Sequence, residues 1–141
     1  MLSYVQMEKY FSLLQIIDQF KTRIDQNKYG VHAQRLDGMP GSGFHEPDRI
    51  GAMLADVEKM TAKLQLLEEK RDRMRPDVEE TIKTVAAGCG KNRIRIELIL
   101  TMRYLSGRDL EEIGAILQKK PVDLKAAIRK QFDKFGEAGN E

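Results

Sequence analysis

An all-α fold is what this sequence predicts, and three observations carry the prediction. Apolar residues recur at three- and four-residue steps along most of the 141 residues. The chain is 33% charged, 41% apolar and only 6% aromatic, rich in Leu, Ile, Met, Lys, Glu and Arg, which favours helix over sheet. Glycine and proline gather in short stretches that punctuate the periodic segments. The layout expected is a long antiparallel helical hairpin over residues 1–90, kinked near Pro76, then a three-helix module over 91–136 and a disordered tail at 137–141.

The first helix is expected from Ser3 to about Gln26. Tyr4, Met7, Phe11, Leu14, Ile17, Phe20 and Ile24 form its apolar stripe, and Tyr10, Leu13 and Ile16 widen it. A Gly/Pro-rich loop is expected over 28–47, where Gly30, Gly38, Pro40, Gly41, Gly43 and Pro47 free or fix the backbone. A second long helix starts near Asp48. Ile50, Val57, Leu64, Val78 and Val85 recur every seven residues, broken at Arg71, with Met53, Met60, Leu67 and Met74 at the companion spacing. Such a coiled-coil seam serves first an intramolecular hairpin with the first helix, and a homodimer as well if one face is internal and the other is shared. Pro76, followed by the capping-box spacing Asp77-Val78-Glu79-Glu80, predicts a kink or a fresh start.

Residues 86–91 form a short hinge, and Asn92 opens the last module. Its first helix stops at Ser106-Gly107, a glycine where a helix end favours a left-handed residue. Asp109-Leu110-Glu111-Glu112 is a second capping box, opening a short helix that buries Leu110, Ile113, Ile116 and Leu117. Pro121 starts the last helix, which buries Leu124, Ile128, Phe132 and Phe135. Leu100, Leu105, Leu110, Ile113, Leu117, Leu124, Ile128 and Phe132 make the small core of the module. A helix, a brief apolar helix and a basic helix joined by tight turns form the helix-turn-helix arrangement that enters a DNA major groove.

Charge supports that reading by its position. The whole chain carries only +2, yet residues 119–134 hold Lys119, Lys120, Lys125, Arg129, Lys130 and Lys134 against Asp123 and Asp133. Phosphate contact, or simply a solvated helix face, accounts for such a cluster. No apolar run approaches the roughly 20 residues of a membrane span, so no membrane partner is expected. The start of the chain lacks the basic-then-apolar layout of a signal peptide. The single cysteine, Cys89, points to a reducing cytosol.

Ile99-Leu100, Arg103-Tyr104-Leu105, Gly107, Leu110, Ile113 and Leu117 together resemble region 4 of bacterial sigma factors. In that family a helix ending in Arg-Tyr-hydrophobic-x-Gly precedes a short helix and a recognition helix. The Met39-Pro40-Gly41 loop between two amphipathic helices is similar to that of small phage and prophage proteins. Those proteins join a helical hairpin to a sigma-like helix-turn-helix, and some are late-gene transcriptional regulators. The resemblance implies a DNA-binding regulator in the bacterial host cytoplasm, with Arg103, Lys119, Lys120, Lys125, Arg129, Lys130 and Lys134 on double-stranded DNA and dimerisation on paired half-sites. This chain departs from the pattern at the recognition helix, where Lys120 and Leu124 stand in place of Ser and a β-branched residue, with Pro121 between them. No Asn, Gln or Arg occupies that first turn. The alternative is a non-enzymatic interaction module that grips a host nucleic-acid-processing protein, such as RNA polymerase or a defence nuclease, through the hairpin or the basic helix.

No catalytic constellation, cofactor site or metal site is expected. Val85 and Asn92 stand where a phosphate-binding loop ending in Gly90-Lys91 would need Gly and Ser or Thr. His32 and His45, with Asp37, Glu46 and Asp48 nearby, lack any metal-ligand spacing. The acids of residues 56–80 alternate with Lys and Arg at helical pair spacing, as surface pairs do.

Overall fold

The computed structural model describes residues 1–36 and 47–139, with side-chain environments over 1–27 and 51–135. Among these residues the elements are α1 (Tyr4–Leu36), α2 (Pro47–Ala87), a 3-10 turn (Gly90–Asn92), α3 (Arg93–Tyr104), α4 (Leu110–Leu117) and α5 (Pro121–Gly139). The all-α class holds. No helix among the described residues is long and apolar enough to cross a membrane.

α1 opens on a reciprocal cap. The Gln6 amide N–H donates to Ser3 Oγ at 3.2 Å, and the Ser3 amide N–H donates to Gln6 Oε1 at 2.9 Å. This Ser-x-x-Gln spacing satisfies two of the amides that a helix start leaves without partners. α1 then runs to Leu36, ten residues beyond the expected end at Gln26, and so covers Gly30 and His32. One glycine in a helix interior costs only about 1 kcal/mol. Of the expected loop 28–47, residues 37–46, with His45 and the Met39-Pro40-Gly41 stretch, lie outside the described residues.

α2 continues as one helix through Pro76, so the fresh start expected there does not occur. Pro76 is exposed, which places the Asp72 carbonyl it fails to bond on the side facing water. Just beyond it, Val78, Ile82, Val85 and Ala86 are all at least 98% buried. Burial of that order, roughly 1.5–3 kcal/mol for each larger side chain, outweighs the proline's cost. Thr81 is also fully buried, its hydroxyl donating to the Asp77 carbonyl while accepting from the Leu2 amide.

The chain divides into two compact units, Gln15–Lys70 and a discontinuous one formed by Met1–Leu14 with Arg71–Glu141. The division falls inside both long helices, away from the boundary expected at residue 90. In the Gln15–Lys70 unit, Ile17, Ile24, Val57 and Leu64 are buried, and the Lys63 ammonium lies 5.7 Å from the centre of the Phe20 ring. The a positions Val57 and Leu64 of the heptad are thus its interior, while Met53, Met60 and Leu67 are half-buried.

The discontinuous unit holds the remaining core: Met7, Tyr10, Leu13, Val78, Ile82, Val85, Ala86, Ile96, Ile99, Leu100, Tyr104, Ile113, Leu124, Ile128 and Phe132. Tyr10 and Leu13 are buried, whereas Phe11 and Leu14 of the expected stripe are only half so. α4 also turns differently from expectation: Ile113 is fully buried, Leu110 and Leu117 are half-buried, and Ile116 is 50% exposed. α5 continues to Gly139, through the start of the expected tail at residue 137.

Candidate nucleic-acid interface

Two turns set the course of α4 and α5. α3 ends at Tyr104, followed by Leu105 as its C-cap, and the positive φ of Gly107 (70°) lets the Arg108 amide reach back to the Met102 carbonyl. Asp109 caps α4, its Oδ1 accepting from the Glu112 amide at 2.8 Å, as its capping-box position predicts. α4 ends on Gln118 in the left-handed region (φ 57°, ψ 47°), with the Gly114 carbonyl accepting from the Gln118 and Lys119 amides. That turn brings the Lys119 carbonyl so close to Gly114 that a side chain there would collide with it. Gly114 is therefore what allows α5 to follow α4 so tightly.

α5 seats one face in the core through Leu124, Ile128 and Phe132. The Phe132 ring lies 5.8 Å from the Tyr4 ring of α1, and Gln131 Oε1 accepts from Cys89 Sγ at 3.2 Å. Burial pushes the Cys89 thiol up, so this cysteine is a packed group with a weak hydrogen bond rather than a reactive thiolate. The opposite face is exposed and carries Lys125, Arg129, Lys130 and Lys134, with Lys119 and Lys120 exposed in the preceding turn. None of the ion pairs among the described residues uses these six cations.

They do not form one line. At about 100° per residue, Lys125 and Arg129 fall along one edge of the exposed face, and Lys130 and Lys134 along the other. The Arg129 guanidinium stands 5.9 Å from the Tyr4 ring centre. Lys119 and Lys130 border a shallow groove between α3 and α5 together with Arg95, Asp123 and Leu124. Arg95 is exposed and belongs with this cluster, yet sequence reasoning missed it. Its signal was faint: Arg93 and Arg95 share the start of α3, and neither has a basic neighbour three or four residues away on that element.

Arg103 stands apart. It is only 8% exposed, and its guanidinium makes a two-pronged contact with Glu8 of α1, Nη2 to Oε2 at 2.7 Å and Nε to Oε1 at 3.2 Å. Tyr104 Oη donates to the same Glu8 Oε1 at 2.7 Å, and the Phe11 ring centre lies 3.9 Å from the guanidinium carbon. Burial alone would raise the Glu8 carboxyl, but the hydrogen bonds from Arg103 and Tyr104 and the Arg103 charge prevail and hold it below its ordinary value. Burial, joined by the bond to Glu8, pushes the Tyr104 phenol far up, so it stays protonated and donating. Arg103 thus belongs to the interior, where it cannot reach a phosphate as the sequence reading expected.

Comparison with protein-family models, with curated proteins and with solved structures finds no match. The candidate interface therefore stands on its own geometry. That geometry is a firmly seated helix with a cationic outer face, preceded by a turn that carries two more lysines. Among the described residues no group of three or more His, Cys, Asp or Glu is placed to hold a metal ion.

Proposed function

We propose that this chain binds duplex DNA through the exposed face of α5 and acts as a transcriptional regulator. The observation that carries the reading is the separation of the two faces of α5. Leu124, Ile128 and Phe132 fix one in the core, while Lys125, Arg129, Lys130 and Lys134 stand exposed on the other. A helix held in this way presents its charges at low entropic cost, and each phosphate neutralised releases counterions. Lys119, Lys120 and Arg95 extend the field toward the α4–α5 turn, and Arg103 is not part of it. The resemblance of Ile99–Leu117 to sigma-factor region 4 gives α5 the part of the recognition helix and supplies the regulatory side of the reading.

A salt titration of duplex binding tests it. Log affinity should fall linearly with log salt, at a slope of about −0.9 per phosphate contacted. Arg129→Ala and Lys130→Ala should each make the slope shallower by about one contact. Failure to bind any duplex at about 50 mM salt, where unspecific phosphate contact is strongest, would remove the basis for the proposal.

A further inference from the structure

The outer face of α5 has a centre as well as two edges, and the centre is not charged like its borders. Val122 is 77% exposed, and Ala126, one helical turn further on, is exposed too. At about 100° per residue the two lie in line between the Lys125–Arg129 edge and the Lys130–Lys134 edge. Ala126 forms the floor of a shallow depression walled by Arg129, Lys130, Asp133 and Lys134. A β-branched apolar side chain left this open at the start of a helix does not serve the core, which Leu124 and Ile128 fill from the opposite face.

We infer that Val122 and Ala126 read the 5-methyl groups of pyrimidines in the DNA major groove, so that the chain favours thymine-bearing sites. This rests on the reading of α5 as a DNA-facing helix. An α-helix with its side chains is about 10–12 Å across, against a major groove about 12 Å wide. Seated there, the two cationic edges face the phosphates of the two strands and the centre faces base edges. Between the two edges the outward residues of the first turns are Val122 and Ala126, and neither offers the paired donors that recognise guanine or the amide that recognises adenine. The apolar feature a base presents in that groove is the C5-methyl of thymine. The Asp133 carboxylate lies at the centre, where it disfavours close approach of phosphate, whereas Asp123 lies along the Lys130–Lys134 edge.

The experiment compares full-length protein on two labelled duplexes of the same mixed sequence, one with thymine and one with deoxyuridine throughout. The uracil duplex lacks only the methyl groups and should bind more weakly, by about fourfold for each methyl covered. Val122→Ser and Ala126→Ser should bring the two duplexes to equal affinity while leaving the salt slope unchanged. Both positions are exposed, and unchanged thermal melts would show that the variants fold. Tight binding that is equal on both duplexes overturns the methyl contact and leaves DNA binding standing. Absence of binding to either duplex at about 50 mM salt overturns the DNA reading itself, and the methyl contact with it.

Discussion

Gly114 is buried where the α4–α5 turn folds back, facing the Lys119 carbonyl. Gly114→Ala would normally gain helix propensity, but here the added methyl meets backbone that cannot rotate away. We expect a loss of roughly 1–3 kcal/mol, the range for overpacking, seen as a lower urea midpoint at unchanged slope. A midpoint at or above that of the parent would show that the turn has room for a Cβ at Gly114. Glu8 gives a second expectation. Its folded pKa lies below the ordinary value of 4.5, so its contribution is fully present above that value and is lost as pH falls through the depressed folded value. At neutral pH Glu8→Gln should cost about 3 kcal/mol, the low end for breaking a buried pair, because Glu8 keeps 28% of its side-chain surface in water. Below pH 4.5 the gap between parent and variant should narrow, and a gap independent of pH would contradict the pairing. Neither role was visible in sequence. Gly114 reads as an ordinary small residue, and Glu8 and Arg103 are separated by 95 positions, which no local pattern spans.

At the level of single helices, legibility followed the range of the interaction. The capping signals at Asp109 and at the Gly107 turn occur as read, whereas the Asp77 spacing opens no new helix. The apolar stripe of α5 is buried at Leu124, Ile128 and Phe132, while Phe135 at its end is only half-buried. Where tertiary burial competes with local preference, local preference loses. α2 passes through Pro76 because Val78, Ile82 and Val85 beyond it are held in the core. Pro76→Ala should therefore raise stability by roughly 1–3 kcal/mol, since the Asp72 carbonyl regains an amide partner and nothing buried is disturbed. Equilibrium unfolding in urea measures this, and an unchanged or lower stability would mean that Pro76 does more than interrupt one bond.

At the scale of the whole chain, the three last helices do not own their core. Tyr4 meets Phe132, Glu8 meets Arg103 and Tyr104, and Cys89 meets Gln131, so the first residues of α1 and the end of α2 complete the unit. A boundary drawn at residue 90 follows the punctuation of the sequence and cuts through this packing. A fragment of residues 91–141 should accordingly show weak helicity by circular dichroism and no cooperative melt, while the full chain melts cooperatively. A fragment that melts as sharply as the parent would mean that α3, α4 and α5 suffice on their own. The Glu8–Arg103 clasp also has a consequence in time. Synthesis proceeds at about 5–20 residues per second, so Glu8 leaves the ribosome roughly 5–19 s before Arg103 does. Throughout that interval the Glu8 carboxylate lacks the guanidinium and phenol that later bind it, so a nascent chain stalled before α3 holds this clasp open.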